Sequence, residues 1–413
     1  MSTRQTPPAT RRRWLATAGA AAVGGLSASF SSGLWATASG FATDARFLLV
    51  FLRGGYDAMS LLVPHGSTFY HEARPNIRIP LREAVSAKKP GADRIDDQWA
   101  LHPALSSSIW PLMQEGQAAF IPFSGVHHLS RSHFETQDFI EMGQGSAGAR
   151  DFRSGFMNRL AGALGVAARP VSFTDQLPLT FRGPTEVGNV SLRNLPSPAA
   201  LPGSSPSLAA LYRGHPLENR VAEAFGLRAE VAEVTRQMET GSRNAITARG
   251  FELEARRMAR FMRDRYALGF VDVGGWDTHV GQGAAEGFLA SRLEELGRGL
   301  AGFADEMGSQ AWQKTVVVVV SEFGRTFREN GGRGTDHGHG SVCWVLGGGL
   351  KGPPIVGEQQ QLTAATLHQN RDLPVLNPLP EVLGGLFARQ FGLSQDALSQ
   401  IFPGAVPRDL RLL

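Results

Sequence analysis

Five consecutive valines, Val316–Val320, constrain this chain more than any other stretch. β-branched side chains are stiff about χ1 and suit an extended backbone. With no polar residue at alternate positions, neither face of the strand can be left to water, so both must be covered. Exposed, the run would be an aggregation hazard, so it belongs in the centre of a sheet. Further apolar strands are expected at Arg46–Leu52, Ala118–Phe123, Ala267–Val273 and Val342–Leu346. Between them lie helical periodicities. Leu289, Leu293, Leu296, Leu300, Phe303 and Met307 step by four and three, as do Phe251, Ala255, Met258, Met262 and Tyr266. Phe152, Phe156, Leu160 and Leu164 recur every four residues, and His102–Glu115 carries Leu105, Ile109 and Leu112 on one face. The Arg-rich face of the Phe251 helix is expected to be solvated. Strands alternating with such helices predict an α/β chain, a three-layer α/β/α sandwich around a mostly parallel sheet.

The chain has 413 residues, 42% of them apolar, enough for one large core. Its single cysteine, Cys343, excludes a disulfide framework and a cysteine metal cluster. Thr10-Arg-Arg-Arg-Trp-Leu-Ala, a weakly apolar Ala/Gly/Ser stretch and the small-x-small site Ala36-Thr-Ala38 match a twin-arginine signal peptide over residues 1–38. The stretch is too interrupted by Gly and Ser for a membrane span. The partner it implies is the twin-arginine translocase, and the location is the periplasm or the exterior. Of 41 basic residues, four leave with the signal, so the remaining 37 balance the 37 acidic ones. The basic balance of the whole chain is therefore no argument for nucleic acid. Residues 39–413 are expected to form a single domain. Pro178–Ser207, rich in Pro, Gly, Ser and Asn, reads as a cap or lid with a short hairpin, and Leu217–Met238 as helical.

Three strands lead into turns bearing acids or imidazoles. Arg53-Gly-Gly-Tyr-Asp57 follows the first; Gly274-Gly-Trp-Asp-Thr-His279 follows the Ala267 strand. After the valine strand comes Thr335-Asp-His-Gly-His-Gly-Ser, with Asp336, His337 and His339 separated by glycines that let the backbone turn tightly. In a parallel sheet these turns share one edge, where ligands of open α/β sheets bind. Carboxylates and neutral imidazoles suit a divalent metal. Asp57, Asp277, His279, Asp336, His337 and His339 are thus candidate ligands, His339 either as a ligand or behind one. In Val126–Glu135, Ser132-x-x-Glu135 forms a capping box, so a helix should start near His133, with backbone N–H groups and Arg131 facing an anion. Glu322 and Arg325, just after the valine strand, either pair structurally or face the site, and the structural reading is preferred for Glu322 because a spacing of three fits an ordinary helix-supporting pair.

Thr335-Asp-His-Gly-His-Gly-Ser resembles the Asp-His motif of the alkaline phosphatase superfamily, which includes arylsulfatases and cofactor-independent phosphoglycerate mutases. The order Asp57, Asp277/His279, Asp336/His337 is similar to its metal ligands. Asp277 and His279 are two apart where the superfamily often has four, and His368 is the sole histidine placed for its later ligand. The mature chain more closely resembles a bacterial family called domain of unknown function 1501. The matching segments are Phe51-Leu-Arg-Gly-Gly, Ser130-Arg-Ser-His-Phe, Val273-Gly-Gly-Trp-Asp-Thr-His, Ser321-Glu-Phe-Gly-Arg-Thr and the Asp-His motif.

The resemblance implies an alkaline-phosphatase-like fold and one or two divalent ions (Zn, Mn, Mg or Ca). It implies hydrolysis or transfer of a phosphate, phosphonate or sulfate ester on a small molecule or polysaccharide. Ser132 or Ser130 would be the nucleophile, Arg131 the holder of the transferred group's oxygens, and His133 an acid or orienter. The competing expectations are a non-catalytic, metal-stabilised binding or assembly protein of the cell envelope, and a metal-free structural α/β protein.

Overall fold

The computed structural model describes residues 44–144, 151–191, 211–221 and 250–413. The proposed signal, the rest of the Pro178–Ser207 excursion beyond residue 191, and most of the Leu217–Met238 helix lie outside them. Eight strands form the large sheet: β1 (Arg46–Leu52), β2 (Ala118–Gly125), β3 (Pro170–Ser172), β4 (Gly188–Asn189), β5 (Leu268–Val273), β6 (Thr315–Ser321), β7 (Ser341–Leu346) and β8 (Asn377–Pro378). Their order is β8-β2-β7-β6-β1-β5-β3-β4. Within this sheet β7 runs antiparallel to both its neighbours, and every other pairing is parallel.

The valine strand β6 sits between β7 and β1, buried along its whole length. Five helices cover the sheet: α1 (His133–Met142), α2 (Phe156–Leu164), α3 (Phe251–Asp264), α4 (Phe288–Trp312) and α5 (Leu379–Phe391). Val317 and Val319, with Leu48, Val50 and Leu52 of β1, pack under α3 and α4. Val316, Val318 and Val320, with Phe47, Leu49 and Phe51, pack under α1, α2 and α5. The period-two pleat thus sends alternate residues into two separate cores. Each fully buried valine contributes roughly 1.5–3 kcal/mol of transfer free energy.

Several expectations need correction. His102–Glu115 is not one surface helix. A tight turn at Pro103–Leu105 precedes a short helix at Ile109–Gln114, and His102, Leu105 and Ile109 are buried. Phe152 lies outside α2 and is exposed, because α2 starts only at Phe156, after Gly155 packs against the backbone of Leu179 and Thr180. The described part of the excursion after Pro178 holds Gly188–Asn189, which adds to the sheet edge in parallel with β3, and the rest of the expected hairpin region lies outside the described residues. The arginines of α3 are not simply solvated: Arg256 reaches Asp305 at 2.8 Å and Arg260 reaches Glu306 at 2.7 Å, both on α4.

For function, one consequence of the topology matters. β6, β1 and β5 are adjacent and parallel, so their C-terminal ends open at one edge. β2 points the same way, because it is antiparallel to β7, and α1 starts from its C-terminal end. The segment between β6 and β7 contains no crossover helix and stays at this edge until β7 turns back. Among the described residues no helix is long and apolar enough to cross a membrane.

Candidate metal centre

Two strand-end loops and the start of α1 bring four side chains together. Asp277 is the hub. Its Oδ1 lies 2.9 Å from His279 Nε2 and 3.2 Å from His337 Nε2; its Oδ2 lies 3.5 Å from His133 Nε2. His279 Nε2 and His337 Nε2 are 3.1 Å apart. One ligand-type atom from each of His133, Asp277 and His337 falls within 4.8 Å of the others. Phe323 lies beneath two of the rings, 5.0 Å from that of His133 and 4.9 Å from that of His337.

The far nitrogen of each imidazole is held from behind. His133 Nδ1 is 2.7 Å from Glu322 Oε1, His279 Nδ1 is 3.2 Å from Asp336 Oδ1, and His337 Nδ1 is 2.9 Å from the Arg131 carbonyl. A carbonyl and a carboxylate accept, so each Nδ1 carries the proton. In the neutral ring this leaves Nε2 as a bare lone pair. Three Nε2 atoms therefore face one carboxylate, an acceptor-rich arrangement that calls for a cation. It is also the arrangement in which outer hydrogen bonds orient metal-binding histidines.

The charges fit this picture. Burial works to raise the Asp277 carboxyl, but Arg325, His279 and His337 hold it below the usual carboxylate range. Burial acts in the same way on Glu322, where hydrogen bonds from His133, Gln137 and Gly54 outweigh it and keep it ionised. The hydrogen bond to Glu322 raises His133, while burial lowers His337. Asp336 is lowered, chiefly by its hydrogen bond from Asn330.

Local sequence explains the approach of the loops. Gly54 adopts φ +126°, and a Cβ there would lie 2.7 Å from the backbone nitrogen of Asp277. Only glycine lets the β1 exit press against the β5 exit. Gly338 has another use than the tight turn expected of it: a Cβ would lie 2.5 Å from the backbone of Arg325, where His337 bridges Arg325.

Of the six expected ligands, Asp277, His279 and His337 converge. Asp336 stands behind His279 and does not face the centre. Asp57 does not join. Its two oxygens accept from Arg74 at 2.6 and 3.0 Å, and both side chains are buried. Burial pushes Asp57 up, but Arg74, Gln282 and Ser60 bring its carboxyl below the ordinary value. His339 also lies apart: the chain bends there, and its buried ring sits 5.1 Å from that of His368. Burial, and then His368 and other nearby cationic groups, lower His339 to about 4.

The catalytic candidates also shift. α1 starts at His133 as expected, but Ser132 makes no side-chain cap. Glu135 instead accepts from Ser130 Oγ at 2.5 Å. Arg131, expected to hold an anion, gives Nη2 to Asp372 at 2.8 Å and to Gln369 at 3.1 Å; what it offers the centre is its carbonyl. His133 stands among the inner groups.

Two residues were undervalued from the sequence. Glu322 and Arg325 do not pair along a helix, for the segment is not helical. Glu322 holds His133, Gln137 and the Gly54 nitrogen. Arg325 donates to Asp277, and its carbonyl partners are Gly54, Gly55, Trp276 and Thr335. Their position immediately after a buried parallel strand was the available signal.

A family model described as a protein of unknown function (DUF1501) matches residues 44–402. No curated protein matches the chain.

Proposed function

The chain belongs to the DUF1501 family, and we propose that it is an exported metal-dependent hydrolase or transferase acting on a phosphate, phosphonate or sulfate ester. One observation carries this reading: three imidazoles, each held at Nδ1 by an acceptor, turn their Nε2 atoms onto the single carboxylate of Asp277. Nitrogen-rich donors with one carboxylate favour zinc over manganese, calcium or magnesium. A divalent ion would be held by His133, Asp277 and His337 with His279 beside them, and would supply a Lewis acid for ester oxygens. The proposed kinship with alkaline phosphatases and sulfatases rests on the Asp336-His337 motif and on the chain order Asp57, Asp277/His279, Asp336/His337, of which Asp277, His279 and His337 meet at the centre.

The chain's own groups have the following parts. Ser130 is committed to Glu135, whereas the Ser132 hydroxyl does not cap its helix, so Ser132 is the nucleophile of choice. Glu322 fixes the ring of His133, and the Arg131 carbonyl fixes that of His337. The substrate is a small molecule or a polysaccharide ester outside the cytoplasm, reached through the twin-arginine signal of residues 1–38.

One observation favours a second reading, a non-catalytic metal-stabilised binding or assembly protein of the cell envelope. The guanidinium expected to grip a transferred group is bonded to Asp372, itself fully buried. The test is elemental analysis of the purified mature chain, followed by assays on nitrophenyl phosphate, phosphodiester and sulfate esters. The enzyme reading expects at least one equivalent of divalent metal and turnover that falls by orders of magnitude in Ser132→Ala with metal still bound. Bound metal without turnover on any ester favours the second reading; a stable chain without metal overturns both.

A further inference from the structure

A two-ion site in this edge would need the carboxylates of several strand ends. Two of those carboxylates are already neutralised by buried arginines. Arg74, 0% exposed, grips both oxygens of Asp57 and also donates from Nε to the Phe327 carbonyl at 2.8 Å. Gln282 Nε2 at 2.6 Å and Ser60 Oγ at 2.7 Å complete the shell of Asp57. An ion entering here would leave a buried guanidinium without its counter-charge.

Arg325 acts likewise on Asp277. Its side chain is fully buried, donates to Asp277 Oδ1, and is tied to carbonyls from all three exit loops. Its Nη1 also stands 3.5 Å from His279 Nε2. Such a web of acceptors leaves it no rotamer to retreat to. The open carboxylate oxygen of Asp277 is then Oδ2, which faces His133 Nε2.

We propose that this centre holds a single divalent ion, on His133, Asp277 and His337 with His279 beside them, and that the Arg325 guanidinium stands where a two-ion site would need its second cation. The inference rests on the reading that the centre binds metal. It deepens that reading by fixing the number of ions and by removing Asp57 from the ligands. A permanent positive charge on the shared carboxylate repels a second dication and cannot be lost at any ordinary pH. Arg325 is a positioning residue, since it reaches the centre only through Asp277 and His279.

The experiment is calorimetric titration of the chelator-stripped mature protein with Zn2+ and separately with Mn2+, with elemental analysis after gel filtration. One ion per chain is expected. Asp57→Asn should keep that stoichiometry, with Kd changed by less than about threefold, while His337→Ala and Asp277→Asn should weaken binding by well over tenfold. Because Asp57→Asn strands Arg74, the double variant Asp57→Asn/Arg74→Gln serves as a second probe with the same expected stoichiometry. Two ions per chain in the wild type, or loss of an ion on changing Asp57, overturns the inference and leaves the metal reading standing. No ion bound overturns both.

Discussion

At the scale of single residues, the centre is defined by what stands behind each ligand-type atom. Glu322 was read from sequence as a partner of Arg325, a spacing argument that presumed a helix. In the fold it lies in the interior and accepts from the ring of His133 at 2.7 Å. Glu322→Gln keeps the shape but weakens the acceptor that sets the His133 tautomer. Metal affinity should drop about 10–100-fold, with the fold intact by circular dichroism. A Kd for Zn2+ within twofold of wild type would show that the ring needs no such anchor. Asp57 gives the opposite lesson. As an aspartate in the turn at a strand end it looked like a metal ligand. Its fate depends on Arg74, which pairs with it in the interior, and no local pattern announces that pair.

At the scale of elements, the strands were legible as unbroken apolar runs and the long helices because burial repeats with their period. β1, β5, β6, β7, α3 and α4 lie where those runs and the three-four spacing put them. The segment after His102 was not legible, because its apolar side chains serve a turn and a short helix beneath α4. His102 caps that turn: its Nδ1 accepts from the Ala104 nitrogen at 3.0 Å, and its Nε2 donates to the Ala284 carbonyl at 3.0 Å. Burial drives His102 down from 6.5 to about 4, despite the Ala284 hydrogen bond. Between those values the unfolded chain binds a proton that the folded chain refuses. Stability is therefore full above pH 6.5 and declines as pH falls toward 4, by roughly 3 kcal/mol from this group. His102→Gln should be destabilised at pH 7.5, and its gap from wild type should narrow by pH 4.5. Urea midpoints at both values check this, and a gap independent of pH would contradict it.

At the scale of the whole molecule, the sheet order gathers residues 133, 277, 279, 322, 325 and 337 at one edge. A metal held there would tie two loops and a helix start together. Stripping the ion with a chelator should lower Tm, and added Zn2+ should restore it in proportion to the logarithm of its concentration. A Tm indifferent to chelator in thermal scans would mean that the loops are held by protein contacts alone. By itself, the sequence determined the α/β alternation, the central place of the valine strand and the clustering of acids and histidines at strand ends. These follow from side-chain chemistry acting over a few neighbouring residues. Only the tertiary structure decided which groups meet. It paired His133 with Glu322, gave Asp57 to Arg74 and Asp277 to Arg325, and put His339 beside His368. Such pairings depend on the paths of loops far apart in the chain, where charge and hydrogen-bond satisfaction in the interior, and no local period, select the partner.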